Sequence, residues 1–358
     1  MPTKDDLRYF QSMPLDLKIL FSMQRIREWV TWFGENGVYV SFSGGKDSTV
    51  LADLYARFCK DWGYEMWLSF VNTGLEYPEI QRFVKWYAEH LQDKYGIVVH
   101  LEILRPKMRF DEVIKKYGYP LISKEVSQKI YDYRKNPEGW TKQRFDSDSE
   151  YVKRYGTRYD LSKWKPLRDS NIPVSHYCCK VMKKDPLKTY EKNNDKVPLI
   201  ATLAEESALR ATEWYRSGCN AFDSKRPISK PMSFWTEQDV LQYIKENNIP
   251  IASVYGDVVY KDDEGNEYDN SLLGGADCKY HTTGCDRTGC IFCAFGCHLE
   301  KEPSRFQRLK ETHPRQYEYC IGGGEYVDGI WQPSKEGLGM GHVFDELNKI
   351  YGDGFIKY

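Results

Sequence analysis

Residues 38–48 read Val38-Tyr39-Val40-Ser41-Phe42 and then Ser43-Gly44-Gly45-Lys46-Asp47-Ser48, after which Val50, Leu51, Leu54 and Tyr55 resume at three- and four-residue steps. The short, partly β-branched run predicts a strand, the paired glycines a tight turn, and the apolar steps a helix. In a parallel sheet, the carboxyl end of a strand beside the N-terminus of the next helix is where ligands bind. Glycines let backbone N–H groups approach an anion there, Lys46 adds a point charge, and the Ser43 and Ser48 hydroxyls can donate further bonds. The turn is therefore a candidate phosphate site. A plain strand-to-helix turn is the simpler reading, and the Lys and two Ser at the helix entry weigh against it. No Walker A pattern and no G-x-G-x-x-G dinucleotide fingerprint is present.

Working outward, Ile19, Leu20, Met23, Ile26, Val30 and Phe33 predict a helix over Leu15–Phe33, with Gly37 as its stop. Beyond the glycine turn the pattern predicts a strand near Met66–Val71, a helix from Pro78 to about Leu91 and a strand near Ile97–Leu104. Further on it predicts a strand at Val197–Leu203 and a helix at Glu237–Glu246 capped by Thr236. Strands alternating with helices indicate an α/β fold with a doubly wound parallel sheet. We expect an N-terminal helical segment (1–37), a nucleotide-binding domain (38–256) carrying an insertion at about 105–168, and a cysteine-rich region with a tail (257–358). From Gly274 to Cys320 the pattern reads as irregular backbone until a helix near Pro303.

The chain has 358 residues, 51 basic against 52 acidic, and 41% hydrophobic, which is ample for a core without disulfide staples. No run of 18 apolar residues suggests a membrane span, and the charged stretch Met1–Phe10 has no signal-peptide core. A cytoplasmic protein with reduced thiols is expected. Arg105–Arg168 holds 17 Lys/Arg against 9 Asp/Glu with eleven aromatics interleaved, so the net charge of -1 hides a basic segment. Such a stretch suits a nucleic-acid backbone with stacked bases, or a solvated lid. The oligomeric state is left open.

Reduced thiols turn ten cysteines into a question of metal or catalysis. Cys278, Cys285, Cys290, Cys293 and Cys297 fall within twenty residues; Cys178 and Cys179 are adjacent; Cys59, Cys219 and Cys320 stand apart. The spacing Cys285-x4-Cys290-x2-Cys293 is that of a plant-type iron–sulfur segment, which needs a fourth thiolate from elsewhere. A four-thiolate zinc site is the alternative.

The hexapeptide 43–48 resembles the S-G-G-x-D-S signature of the PP-loop ATP pyrophosphatase superfamily, with a HUP-like Rossmann-type sheet. Within it the chain is most similar to the phosphoadenosine phosphosulfate reductase family. Asn72-Thr73-Gly74-Leu75-Glu76-Tyr77-Pro78-Glu79 resembles the family's D-T-G-x-x-x-P-E, with Asn72 for the acid. Ala204-Glu205-Glu206-Ser207-Ala208-Leu209-Arg210 resembles R-A-x-E-S-x-x-R, with Leu203 for the first arginine. Trp235, Asp239, Val240, Tyr243 and Ile244 match a W-x-x-x-D-V-x-x-Y-I stretch.

The resemblance implies an adenine-nucleotide site for ATP or an adenylyl sulfate, with Mg possible. Ser43, Gly44, Gly45, Lys46, Asp47 and Ser48 would hold phosphates, Asn72, Thr73 and Gly74 would line the nucleoside, and Lys46, Asp47 and Arg210 would be catalytic. Cys178-Cys179-Lys180-Val181-Met182-Lys183-Lys184-Asp185-Pro186-Leu187 resembles a segment of the iron–sulfur adenylyl-sulfate reductases, where a C-C pair and a later C-x-x-C hold a 4Fe-4S cluster. Because Cys285 and Cys297 are additional here, Cys179, Cys285, Cys290 and Cys293 are the favoured ligands, with Cys178 and Cys297 open as substitutes.

The family's C-terminal E-C-G-L-H nucleophile segment is missing. We therefore expect sulfur transfer or adenylation with α–β phosphate cleavage, acting with an external reductant or sulfur donor on a nucleic-acid or protein acceptor. The alternatives are a sulfonucleotide reductase using Cys320 or an external thiol, and a non-catalytic nucleotide- and cluster-dependent regulatory module.

Overall fold

The computed structural model describes residues 2–262, 264–268 and 278–358; the first residues of the stretch expected to be irregular, 274–277, lie outside them. Seven strands frame the architecture: β1 (Val38–Ser41), β2 (Met66–Val71), β3 (Val99–Leu104), β4 (Leu121–Ile122), β5 (Val197–Leu199), β6 (Asn220–Ala221) and β7 (Ile228–Ser229). All but β4 form one sheet in the order β3-β2-β1-β5-β7-β6. Its pairings are parallel, with Val40 opposite Leu68, Met66 opposite Val99 and Val38 opposite Val197, except that the edge strand β6 runs antiparallel to β7. The chain leaves β1 toward β2 and β3 on one side and returns to β5 on the other. The carboxyl end of β1 is thus a topological switch point, the place where an open α/β sheet leaves a crevice.

Four helices complete the first part of the chain: α1 (Lys4–Gln11), α2 (Leu15–Phe33), α3 (Lys46–Trp62) and α4 (Pro78–Tyr95). α2 matches the predicted span, and its cap is Gly34 at φ 79° rather than Gly37, which closes a short 3-10 turn instead. α3 is buried on most sides, with Val50, Leu51, Leu54 and Tyr55 all at 0% exposure. Each fully buried aliphatic chain of this kind contributes about 1.5–3 kcal/mol. Gly63, left-handed at φ 70°, ends it. The buried Asp53 on α3 accepts from Lys94 Nζ at 2.9 Å, Tyr95 OH at 2.8 Å and Tyr243 OH at 2.7 Å. That satisfied carboxylate ties α3 to α4 and to the helix Glu237–Glu246.

The chain forms two compact units, 1–72 with 76–105 and 186–288, and 73–75 with 106–185 and 289–358. This grouping differs from the consecutive segments 1–37, 38–256 and 257–358 read from the sequence. Residues 106–185 group with 73–75 and 289–358 in the second unit. β4 pairs in parallel with Ala294–Phe295, and Tyr119 OH donates to Leu338 O at 2.7 Å. Trp164 packs edge-on against Tyr351 at 5.3 Å between ring centres. Contacts across 170 residues and more leave no trace in local periodicity. No helix among the described residues is long and apolar enough to cross a membrane.

Candidate functional site

β1 delivers Ser43 into a turn whose backbone only glycine tolerates. Gly44 sits at φ +71°, and a Cβ there would lie 2.8 Å from both Ile80 Cγ2 and Val84 Cγ2 of α4. The turn is braced internally: Ser43 Oγ and Ser48 Oγ are 3.0 Å apart, and Ser48 Oγ donates to Gly45 O at 2.9 Å. No side chain caps α3 at Gly45. Its first turn is therefore open to an anion, as the helix dipole favours. Lys46 N donates to Tyr255 OH at 3.3 Å, and Tyr255 OH lies 2.6 Å from Thr288 Oγ1.

Lys46 is almost wholly buried, and its ammonium is already engaged: Nζ donates to Asp286 O at 2.7 Å and pairs with Glu237 Oε1 at 2.7 Å. Beside it lies a cavity of about 440 Å³ whose charged lining is Lys46, Asp47, Glu205, Glu206, Glu237 and Arg287, completed by Leu203, Thr236 and Gln238. Glu237 is placed by its helix, where Thr236 and Asp239 form a capping box and Asp239 pairs with the buried Lys18 at 2.6 Å. Arg210 follows the N-cap Ser207 of the helix Ala208–Ser217. Both Arg210 and Arg287 pair with Glu206. Burial raises the Asp47 carboxyl above its ordinary value, with Lys46 and then Arg287 pulling the other way. Burial likewise raises Glu205.

Asn72, Thr73 and Gly74 follow β2. Asn72 N donates to Leu104 O at 2.9 Å, extending the β2–β3 ladder; Leu75 N donates to Thr73 Oγ1 at 3.1 Å, and Gly74 turns the chain at φ +74°. Asn72 belongs to the first unit, Thr73 and Gly74 to the second.

In the second unit Cys178, Cys179, Cys290 and Cys293 line one pocket with Leu75, Phe110, Pro120, Met182 and Lys183. Three expected ligands, Cys179, Cys290 and Cys293, are thereby brought together. The fourth, Cys285, belongs to the first unit, where its N–H donates to Val254 O at 2.9 Å. Cys178 Sγ donates to Cys179 Sγ at 4.0 Å, and this bond holds the Cys179 thiol below its usual value, with Lys124, Lys183 and Lys184 assisting. Burial raises Cys293. Among the described residues no three His, Cys, Asp or Glu side chains close on a single point as a finished metal site. Cys297 Sγ contacts Ala294 O at 3.0 Å, and burial pushes its thiol up to about 12. Cys320 is at 0% exposure against Met340 Sδ at 3.5 Å, and burial drives its thiol far up.

Sequence reasoning missed Glu237, the Asp286 carbonyl, Tyr255, Thr288, Glu205 and Arg287. Glu205 lay inside a quoted motif and Glu237 beside a predicted N-cap, but nothing local marks either as facing Lys46. Asp286, Arg287 and Thr288 sit between Cys285 and Cys290, where the thiols drew the reading.

No curated protein matches the chain. Among solved structures it is similar to an NH3-dependent NAD synthetase from Campylobacter jejuni in complex with nitrate, at 11% identity and TM-score 0.33, covering 66% of this chain and 75% of that one. It is also similar to the U34-tRNA thiolase NcsA from Methanococcus maripaludis with its 4Fe-4S cluster, at 17% identity and TM-score 0.35, covering 66% of each chain. The NMN synthetase from Francisella tularensis matches at 12% identity and TM-score 0.31, over 67% of this chain and 73% of that one. Residues 37–137 and 141–295, well over half of the chain, match the phosphoadenosine phosphosulfate reductase domain, and the protein belongs to that family.

Proposed function

We propose that this chain is a cytoplasmic enzyme that binds ATP with Mg²⁺ at Ser43–Ser48, splits the α–β phosphate bond and passes the adenylate to an acceptor for sulfur transfer. The observation that carries this reading is the charge of the cavity beside Lys46. Asp47, Glu205, Glu206 and Glu237 outnumber Lys46 and Arg287 in its lining, and Leu203 stands where the family pattern has an arginine. A cavity so furnished favours an anion that arrives with a cation over a bare sulfonucleotide.

In the reaction an acceptor oxygen attacks the α-phosphorus, the bond to the bridging oxygen breaks, and pyrophosphate leaves with the electron pair. The uncapped first turn of α3 and the Ser43 and Ser48 hydroxyls would receive phosphate oxygens. Lys46 would exchange Glu237 for the polyphosphate, and Arg210 would offset charge that develops in transfer. Asp47, Glu205 and Glu237 are the residues that would hold a divalent cation, whose part is to neutralise the pyrophosphate.

The thiol pocket fits an iron–sulfur cluster in its donor chemistry: four cysteines share one lining, and Lys124, Lys183 and Lys184 pull the Cys179 thiol toward its charged form. Such a cluster supplies one-electron redox chemistry. Burial of Cys320 counts against the reductase reading, since an attacking thiolate needs access.

Incubation with Mg-ATP and, separately, with adenylyl sulfates distinguishes the readings. Pyrophosphate from ATP is expected, with AMP released when a sulfur nucleophile or water displaces it from the adenylated acceptor. Sulfite from an adenylyl sulfate would make the chain a reductase that borrows an external thiol, and tight binding without products would make it a regulatory module.

A further inference from the structure

The second unit carries a ladder of aromatic rings that its core does not use. Trp140 and Tyr155 are 53% and 51% exposed. Between them stands Tyr151, stacked on Trp140 at 5.2 Å and 28° and lying 4.7 Å from Tyr155, while Tyr159 meets Tyr155 edge-on at 6.1 Å. The segment is held from beneath by other residues. Phe145 and Val152 are buried, and the buried Arg144 donates to Tyr159 O at 2.6 Å and to Glu125 Oε1 at 2.7 Å. Tyr151 and Tyr159 pack on the Arg144 guanidinium, 5.8 and 5.2 Å from its Cζ, so the brace carries these two rings and leaves Trp140 and Tyr155 as the exposed ones.

Cations flank the ladder. Lys129 Nζ lies 4.7 Å over Trp140, and Arg154 Cζ lies 5.4 Å from the centre of Tyr155. Lys153, Arg154 and Arg158 are exposed, and none of the three is in an ion pair among the described residues. Exposed flat rings alone would suit many apolar partners. Rings interleaved with unpaired cations suit a polyanion with flat faces of its own, and this charge complementarity selects the occupant.

We propose that the knuckle Trp140–Tyr159 is a binding surface for single-stranded nucleic acid, with bases stacking on Trp140 and Tyr155 and phosphates meeting Lys153, Arg154 and Arg158. A duplex keeps its bases stacked on each other and cannot offer their faces, so single strands are preferred. As the acceptor of an adenylation or sulfur transfer this partner rests on the function proposed above; as a binding surface it stands alone.

The test is therefore read without nucleotide. Full-length protein is titrated into fluorescein-labelled 20-nucleotide single-stranded RNA, the same sequence as DNA, and the matching DNA duplex, with anisotropy followed from about 50 to 200 mM salt. Binding to one or both single strands with a weaker duplex is expected, and the RNA and DNA arms identify the natural sugar. Trp140→Ala with Tyr155→Ala should weaken single-strand binding by about tenfold or more, while Trp140→Phe retains most of it. Lys153→Gln, Arg154→Gln and Arg158→Gln together should lower the salt slope by about 2. Absence of single-strand binding, equal binding of duplex, or unchanged affinity in the Trp140→Ala, Tyr155→Ala protein with native circular dichroism overturns the proposal. Capture of an acidic protein through the same residues, with no strand bound, also overturns it. None of these outcomes touches pyrophosphate release.

Discussion

Lys46 reaches two oxygen partners, Glu237 Oε1 and Asp286 O, both at 2.7 Å, so a polyphosphate must displace at least one of them to use its charge. Charged hydrogen bonds are worth about 1.5–3 kcal/mol each, a tenfold change or more. Lys46→Ala with Ser48→Ala is expected to weaken ATP binding at least a hundredfold in calorimetry while leaving circular dichroism unchanged. Unaltered affinity would remove the phosphate site. Asp47 supplies a pH signature. Its folded pKa is raised from 3.8, so between that value and its own the folded chain keeps a proton that the unfolded chain has lost. The stability this adds is full below the ordinary carboxylate range and declines as pH rises through the raised value. A divalent cation competes for the same carboxylate, so the rise in melting temperature on adding Mg²⁺ should grow with pH over that window. Asp47→Asn should flatten the growth. A Mg²⁺ shift independent of both pH and Asp47 would show that the cation is held elsewhere.

At the scale of elements, the site depends on how β1 turns into α3. Gly44→Ala would force a side chain into a left-handed backbone, costing about 1–2 kcal/mol. It would also press a Cβ onto Ile80 and Val84 at 2.8 Å, and overpacking of that kind costs about 1–3 kcal/mol. Urea denaturation should report a loss in that combined range, together with weaker ATP binding because α4 and the turn separate. An Ala variant of native stability would mean that the turn readily rearranges. β1, β2, α2, α3 and the Thr236-capped helix were legible because each carries its own period or cap. β6 and β7, two residues each, were not: an alternation needs more positions than they have, and their pairing is what makes them strands. β5 stops at Leu199, short of the predicted Leu203, as the chain turns into the 3-10 turn Ala204–Glu206. The glycine turn was readable for the same reason as α3, whereas Glu237 reaches Lys46 from 191 residues away in sequence, and no local signal encodes such an approach.

For the whole molecule, the thiol pocket is where distant chain segments must meet. Cys178 and Cys179 precede Cys290 and Cys293 by more than a hundred residues, yet the four line one pocket of the second unit. Spacing groups Cys285 with Cys290 and Cys293, whereas by compact unit Cys285 falls in the first and Cys290 and Cys293 in the second. If the pocket holds the cluster, its ligands are Cys178, Cys179, Cys290 and Cys293, and each should be individually necessary. Protein purified without oxygen should contain iron and acid-labile sulfide in equal amounts. Cys290→Ser and Cys178→Ser should each lose most of both, whereas Cys285→Ser should keep them. Loss of iron in Cys285→Ser with retention in Cys178→Ser would restore the spacing-based set, and one zinc without sulfide would replace the cluster with a structural metal. Because such a centre stabilises only what it joins, removing it should lower the melting of the second unit and leave ATP binding by the first unit in place. Calorimetric scans of the iron-loaded protein and of Cys290→Ser, each with and without Mg-ATP, read both effects at once: the cysteine change should shift one transition and the nucleotide the other.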